Sequence, residues 1–283
     1  MAEAGRNSRP NPGAHSRYTR SVRTRTIFAA LTAACAIAGF ASSTETSPIA
    51  GAKQLIIVIS PGWDSPGATM RRYDRTADGW REAGAPVDVI IGRSVLAWGS
   101  GVNRGTGPGP VKREGDGKSP AGVFALGPAF AYEPKELGAM QLPVLHAQET
   151  LVCVDDVASG LYNTLVEASA MHAAGRPHGP DTPGAEAQHK LHEPSFERMR
   201  RADDQYRFGL VVRHNQDPAT PGAGSCIFLH IWRSPESPTS GCTAMAPERL
   251  KPLLTRLDPA QKPLLVQLPR DEYARLRQEW GLP

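Results

Sequence analysis

The stretch SCIFLHIWRSPESPTSGC, residues 225–242, joins an apolar run to a glycine–cysteine pair. Successive side chains of a strand point to opposite faces, so the first eight residues predict a strand with one wholly apolar face. That face carries Ile227, Leu229 and Ile231. The opposite face carries His230. We therefore expect the apolar face in the core, and a loop of serines and prolines that returns the chain to a lone thiol.

Short apolar runs repeat this strand pattern along the chain, separated by glycines and prolines. They are KQLIIVIS (53–60), VDVIIG (87–92), VLAWG (95–99), GVFALG (122–127), LVCVDD (151–156), RFGLVVRH (207–214) and PLLVQLP (263–269). Helical spacing or composition is found in APERLKPLLTRL (246–257), RDEYARLRQEW (270–280) and PSFERMRRADD (194–204). The pattern predicts a mainly β domain with a few short helices, arranged as a sandwich.

The N-terminal residues 1–41 have the features of a targeting segment. A basic stretch with six arginines and one glutamate precedes an apolar run that is too short to cross a bilayer comfortably and suits a signal peptide. Two alternatives are a lipoprotein processing site at Cys35 and an uncleaved anchor. Each of these exports the rest of the chain to the periplasm or cell envelope, with membrane contact only through an uncleaved leader.

Residues 42–52 are expected to form a linker rich in serine and threonine, and residues 53–283 are expected to form one folded domain. The formal net charge of the whole chain is +4. The leader accounts for +5 of it (six arginines less one glutamate), which leaves about −1 for the remainder. With few aromatic residues and no basic stripe, the sequence argues against a nucleic-acid partner.

Three cysteines follow the leader: Cys153, Cys226 and Cys242. In an oxidising compartment an odd number leaves at least one thiol unpaired or bonded to another chain. Whether Cys153 and Cys226 form a disulfide stays open at this point. One alternative pairs Cys242 with either of them as a structural staple, and another places zinc between Cys226, His230, Cys242 and His214.

Four further histidines interrupt the strand pattern: His172, His178, His189 and His192. Their spacings of six, eleven and three fit no compact ligand pattern on one element. We expect a polar surface excursion from Met171 to Tyr206, and neither a metal nor a cofactor in this protein.

A cysteine nucleophile needs a base, a group that orients the base, and backbone donors for the oxyanion. His230 is the candidate base for Cys242, and Gly241 leaves room for a substrate carbonyl. The amides of Gly241 and Cys242 are candidate oxyanion donors. A helix that starts at Pro247 is expected to lower the pKa of the thiol.

These residues resemble the L,D-transpeptidase (YkuD-like) catalytic domain. Its signature of a histidine, a variable loop and Ser/Thr-x-Gly-Cys matches His230 and Thr239-Ser240-Gly241-Cys242. A second stretch, GPVKREGDGKSPAGVFALG (109–127), resembles the family's GDG-[KR]-[ST]-P-x-G loop and strand. Two positions depart from the pattern: many members have histidine in place of Ser240, and arginine or asparagine in place of Ala244.

The resemblance implies an L,D-transpeptidase β-sandwich that acts on peptidoglycan stem peptides through a Cys242 thioester. The catalytic residues would be Cys242, His230, Gly241 and Ser240. A backbone carbonyl of the run Thr239–Gly241 would fix the tautomer of the histidine. Substrate contacts would come from Thr239, Arg233 and Lys118. Two alternatives remain: a carboxypeptidase or endopeptidase that uses water, and a non-catalytic wall-binding domain.

Asp116 lies between two glycines and is expected to form a turn.

Overall fold

A computed structural model describes residues 47–103, 107–173 and 195–283. The predicted leader, residues 1–41, lies outside the described residues, as do His178, His189 and His192. The chain divides into two units, residues 1–44 and 45–283, and every described residue belongs to the second. Within these ranges, none of the helices combines the length and the apolar character that spanning a membrane requires.

The described residues form fourteen strands and three helices. The strands are β1 (Gln54–Ser60), β2 (Gly67–Thr76), β3 (Gly79–Glu82), β4 (Val87–Ile90), β5 (Leu96–Trp98), β6 (Ser119–Ala131), β7 (Val144–His146), β8 (Leu151–Val154), β9 (Leu165–Glu167), β10 (Phe196–Arg198), β11 (Phe208–Val212), β12 (Phe228–Ile231), β13 (Thr243–Met245) and β14 (Leu264–Pro269). The helices are α1 (Ala168–Ala173), α2 (Pro247–Arg256) and α3 (Arg270–Trp280), and single 3₁₀ turns lie at Pro134–Leu137 and Pro259–Gln261. The prediction of a mainly β protein is confirmed.

The main sheet runs in the order β1-β14-β6-β11-β12-β13-β4-β2-β3, and β5 and β7 add to β6. Strand β1 pairs with β14 in parallel and with β2 in antiparallel, so the sheet closes on itself and is barrel-like. The sequence predicted a sandwich instead, because strand patterns do not reveal which strands pair at the two ends of a sheet. A separate small sheet has the order β10-β8-β9.

The closed sheet explains why the sequence of β1 contains an unbroken apolar run. Its central residues, Leu55 to Val58, are all buried, because one face lines the interior and the other is covered. The helices α2 and α3 pack apolar residues against the same core, among them Leu250, Leu254, Leu276 and Trp280. The two helices were predicted at 246–257 and 270–280, and both predictions are confirmed.

The domain begins earlier than the sequence predicted. Ser47 donates a hydrogen bond from Oγ to the carbonyl of Trp280 at 2.6 Å, and Ile49 is buried in the main core. Residues 47–52 were expected to belong to the linker. They pack against the folded domain because Ile49 and Ala52 gain burial there.

Alternation along β12 separates two apolar clusters. Ile227 and Leu229 lie in the main core, while Phe228 packs in a second cluster with Cys226 and Cys242. The strand was expected to start at residue 225, but it starts at Phe228. Cys226 has a φ of 55°, in the left-handed region, which is incompatible with strand geometry.

The helix expected at 194–204 is absent over the described part of that range, residues 195–204. Phe196–Arg198 instead forms strand β10, which pairs antiparallel with β8 and places Glu197 opposite Cys153. This prediction was wrong because the conformation of so short and polar a segment is set by its pairing partner, which is distant in sequence.

A disulfide between Cys153 and Cys226 ties the small sheet to the residues that precede β12. The thiol of Cys242 is free. The disulfide therefore links the two sheets at a point next to the cysteine that the sequence selected as a nucleophile.

We predict that replacing both half-cystines, Cys153→Ala with Cys226→Ala, lowers the free energy of unfolding by about 4 kcal/mol, the loop-entropy value for a cross-link spanning 73 residues. Urea unfolding measures it. A reductant should lower the stability of the wild type toward that of the double variant and leave the variant unchanged. Equal stability of the two proteins without reductant would contradict the prediction.

Candidate active site

Cys242 and His230 are brought together by two parallel strands. Cys242 immediately precedes β13, which pairs with β12 so that Leu229 aligns with Thr243 and His230 with Ala244. Cys242 therefore lies beside Phe228, whose backbone amide donates to Sγ at 3.3 Å. Because side chains alternate, His230 projects on the same side of the sheet, two positions further along.

Both side chains line one cavity of about 670 Å³. Cys242 is 7% exposed and His230 is 4% exposed, so each forms part of the wall rather than projecting into solvent. Five cationic residues also line the cavity: Arg93, Lys112, Arg198, Arg201 and Arg233. Three acidic residues do so as well: Glu114, Asp155 and Glu197. The charge around the cavity is thus mixed, with an excess of cations.

The tautomer of His230 is set by a neighbouring carbonyl. Nδ1 lies 2.8 Å from the carbonyl oxygen of Ile231, and since a carbonyl only accepts, Nδ1 carries the hydrogen. The neutral ring then has its lone pair on Nε2, the atom suited to take a proton. The sequence placed the orienting carbonyl in Thr239–Gly241, and that was wrong: the residue directly after the histidine supplies it.

Burial keeps both members of the pair neutral. It lowers the pKa of His230 to about 4, against the opposing effect of the Ile231 carbonyl. Burial also raises the pKa of the Cys242 thiol to about 12, and the Glu197 carboxylate raises it further, while the Phe228 amide, Tyr206 and Lys112 act in the opposite direction. The expected lowering by helix α2 is therefore outweighed. At neutral pH the cavity wall therefore holds a neutral thiol and a neutral imidazole, and use of the sulfur as a nucleophile would require its proton to move.

The backbone around Gly241 narrows the choice of oxyanion donors. The Gly241 amide donates to Thr239 Oγ1 at 3.1 Å, which leaves the Cys242 amide as the candidate. Gly241 has a φ of 152°, and a Cβ there would lie 3.1 Å from the carbonyl of Lys118. Glycine is required at this position by both its conformation and the close approach of the neighbouring loop.

A bridge of hydrogen bonds joins the two stretches that resemble one family. Ser119 Oγ donates to the Cys242 carbonyl at 2.9 Å and accepts from the Gly92 amide at 2.9 Å. Thr239 Oγ1 donates to the same Cys242 carbonyl at 2.6 Å. The loop that carries Ser119 and the loop that carries Cys242 are 123 residues apart in sequence and directly bonded in space.

Arg93 anchors the other side of the cysteine loop. Its amide donates to the Thr239 carbonyl at 2.8 Å, and its guanidinium donates to Ser240 Oγ at 3.0 Å. Three residues that the sequence analysis selected for the site also line the cavity: Thr239, Ser240 and Arg233. Arg93 lies just after a predicted strand and was not selected from the sequence.

Lys118 was expected to contact substrate, but it lies outside the lining of the cavity. Its Nζ donates to the carbonyl of Ser94 at 2.7 Å, which ties two loops together. Lys112 does line the cavity, paired with Asp116 at 2.7 Å. Asp116 also accepts from the amides of Arg113 and Lys118, both at 2.8 Å, so its predicted role as a turn former is confirmed.

Two residues of the site escaped the sequence analysis: Tyr206, which is buried, and Glu197, whose side chain is 28% exposed. Both lie in the stretch that was interpreted as a surface excursion. No motif or spacing marks them, because their proximity to Cys242 depends on the pairing of β10 with β8 and on the packing of Tyr206 against β12.

The structure weakens two of the alternatives. Cys226 is bonded to Cys153, so it neither staples Cys242 nor offers a thiolate to zinc. His214 is occupied by the Ser100 amide and the Ala223 carbonyl. Over residues 47–103, 107–173 and 195–283 no cluster of three metal-binding side chains is present.

Comparison of the chain with family models, curated proteins and solved structures gave no match.

We predict that the protein loses stability as the pH falls from about 6.5 to 4. His230 and His214 are both buried, burial lowers the pKa of each to about 4, and both titrate near 6.5 when unfolded. The unfolded chain then binds more protons in this window, so each histidine costs about 2 kcal/mol at pH 5. The raised pKa of Glu197 acts in the opposite sense.

Urea unfolding at pH 7 and pH 5 measures the effect. The loss between these pH values should be smaller in His230→Gln, which cannot take up the proton. An identical loss in the variant and the wild type would exclude His230 as a source of the acid sensitivity.

Proposed function

We propose that this chain is a cysteine acyltransferase of the L,D-transpeptidase type, which acts on peptidoglycan stem peptides. The observation that carries the proposal is the arrangement at the cavity. A free thiol, Cys242, and a histidine with a fixed tautomer, His230, line the same 670 Å³ space. This is the pair that nucleophilic acyl transfer by cysteine requires.

The meeting of the two signature stretches supports the same conclusion. Ser119 of the GDGKSP loop (115–120) donates a hydrogen bond to the Cys242 carbonyl. This contact is expected if the two loops shape one site. Ser240, where many family members have histidine, is held by Arg93. An L,D-transpeptidase (YkuD-like) catalytic fold is part of this proposal.

The proposed reaction starts from the neutral pair. As Cys242 Sγ attacks the carbonyl of the third, diamino-acid residue of a tetrapeptide stem, His230 Nε2 takes the thiol proton. The oxyanion forms near the Cys242 amide. His230 then passes the proton to the amine of the departing D-alanine. The rest of the stem stays bound to Cys242 as a thioester. An amine of a second stem resolves the thioester and forms a 3→3 cross-link.

The charge of the cavity fits this substrate class. Stem peptides carry free carboxylates, and the lining holds five cationic side chains, among them Arg93 and Arg233 beside the cysteine loop. Guanidinium groups bind carboxylates through two parallel hydrogen bonds. Localisation in the periplasm or cell envelope, through the leader, belongs to the same proposal, and so does the absence of a cofactor from the reaction.

We predict that a carbapenem, whose strained lactam carbonyl acylates many L,D-transpeptidases, forms one covalent adduct with the wild-type protein. Intact-mass measurement should find no adduct on Cys242→Ala and strongly reduced adduct formation on His230→Ala. His146→Ala is the matched control for His230→Ala, because it removes an exposed histidine that lies outside the lining of the cavity, and it should react like the wild type.

An adduct that persists on Cys242→Ala would overturn the assignment of the nucleophile. Thermal melting of each variant separates loss of chemistry from loss of fold. If His230→Ala does not fold, His230→Gln tests the same step with a side chain that fills more of the space.

The acceptor is tested separately, since the thioester is common to transfer and hydrolysis. Pure protein incubated with disaccharide tetrapeptides should produce dimers joined 3→3, detected by mass spectrometry. Shortened monomers alone would identify the protein as a carboxypeptidase, and cleavage of dimers would identify it as an endopeptidase. Neither product with a folded, carbapenem-reactive protein would exclude stem tetrapeptides as the substrate.

A further inference from the structure

Tyr206 occupies the centre of the site without a role in the reaction described so far. Its ring meets the His230 ring edge-on, with 5.0 Å between centroids, and the Phe228 ring at 5.5 Å. Phe228 is the residue whose amide contacts the Cys242 sulfur. Tyr206 is buried and lines the same cavity as Cys242. It therefore packs directly against His230 and against Phe228, the residue beside Cys242, and it belongs to the same buried cluster as Cys242.

The hydroxyl of Tyr206 donates to Glu197 Oε1 at 2.6 Å. Glu197 lies on β10, in the small sheet, and it also faces Arg201, whose Nη1 lies 3.5 Å from the same oxygen. The Arg201 guanidinium stands over the Tyr206 ring at 5.1 Å. Arg201, whose guanidinium also donates to Asp203 at 2.7 Å, is thus a second and more distant partner of Glu197.

The charges around Glu197 and the sulfur come from several segments. Burial raises the pKa of Glu197, and Asp155 and Glu114 raise it further, while Tyr206 and Arg201 lower it. Burial also raises the pKa of the Cys242 thiol; Glu197 adds to this, and Tyr206 and Lys112 oppose it. Glu197 and Tyr206 therefore act on the thiol in opposite directions.

A buried thiolate needs hydrogen-bond donors, because it leaves the solvation that water would supply. The Phe228 amide is one donor, at 3.3 Å. The Cys226 carbonyl, 3.5 Å from Sγ, is an acceptor and serves only the protonated thiol. Once the proton leaves, this carbonyl cannot form a hydrogen bond with the thiolate, and a further donor is required.

We propose that the Tyr206 hydroxyl is a switchable donor, bonded to Glu197 in the resting site and turned to the Cys242 sulfur as the thiol gives up its proton. The inference rests on the proposed function for its purpose, but the switch itself concerns only the ionisation of Cys242. Tyr206 is then a positioning residue for the nucleophile, and Glu197 sets how readily it switches.

The step involves no further reactant. The Cys242 proton moves to His230 Nε2, the Tyr206 proton stays on its own oxygen, and only the acceptor of the Tyr206 hydrogen bond changes. Glu197 keeps Arg201 as its partner throughout. When the thiol is regenerated, the hydroxyl returns to Glu197.

The test compares Tyr206→Phe with Glu197→Gln in the full chain. Iodoacetamide is the probe, and the alkylation rate of Cys242 is followed by peptide mass spectrometry between pH 6 and pH 9. Tyr206→Phe should slow alkylation by about threefold to tenfold, the effect of losing one hydrogen bond of ordinary net strength. Glu197→Gln should speed it, because the competing carboxylate charge is removed.

Three features separate this switch from a packing role. Tyr206→Phe removes one atom and so opens the site, which means that a slower rate does not come from reduced access. The difference between wild type and Glu197→Gln should also shrink toward acid pH, as the carboxylate itself is protonated. In the Tyr206→Phe background Glu197→Gln should have a smaller effect than in the wild type, because the two residues are coupled.

Equal rates for Tyr206→Phe and the wild type would overturn the proposal, as would slower alkylation in Glu197→Gln. Thermal melting confirms that each variant is folded. If the carbapenem and stem-peptide experiments fail, the proposed function is wrong, but the alkylation results still test the switch. If the wild type is acylated normally and Tyr206→Phe is alkylated at the wild-type rate, only the switch is wrong.

Discussion

The hydrogen-bonded bridge through Ser119 is the constraint on which the site depends. One buried hydroxyl accepts from the Gly92 amide and donates to the Cys242 carbonyl, so it ties together three segments that are far apart in sequence. Because Ser119 is itself fully buried at the start of the long strand β6, the bridge is shielded from water. The position of the Cys242 backbone, and with it the direction of the thiol, follows from this anchoring.

Burial then decides the chemical character of the pair. A thiol and an imidazole that are both almost fully buried are more stable neutral than charged, so the resting site holds no thiolate. The proposed reaction has to couple proton transfer to attack, so it depends on the orientation of His230 Nε2 and on the hydrogen-bond donors at the sulfur. The Ile231 carbonyl sets the orientation, and the Phe228 amide is one donor. Tyr206 is the second donor in the proposed switch.

The predictions from sequence succeeded where the signal is local. Strand β1 and helix α3 were located from their apolar patterns, because a buried run and a helical spacing are readable over ten residues. They failed where a distant partner decides. Phe196–Arg198 became a strand through pairing with β8, and the strand at Phe228 starts late because Cys226 takes a left-handed conformation next to its disulfide. Glu197 and Tyr206 were missed for the same reason.

The sequence by itself determined a mainly β domain, an unpaired thiol among three cysteines, and the pairing of Cys242 with His230 as candidates for chemistry. Only the tertiary structure decided which carbonyl orients the histidine, which cysteines pair, and which charged groups surround the sulfur. The physical reason is that residue types and short spacings encode local conformation and chemical capacity. Distances, burial and pKa values arise from contacts between segments that the chain brings together only when it folds.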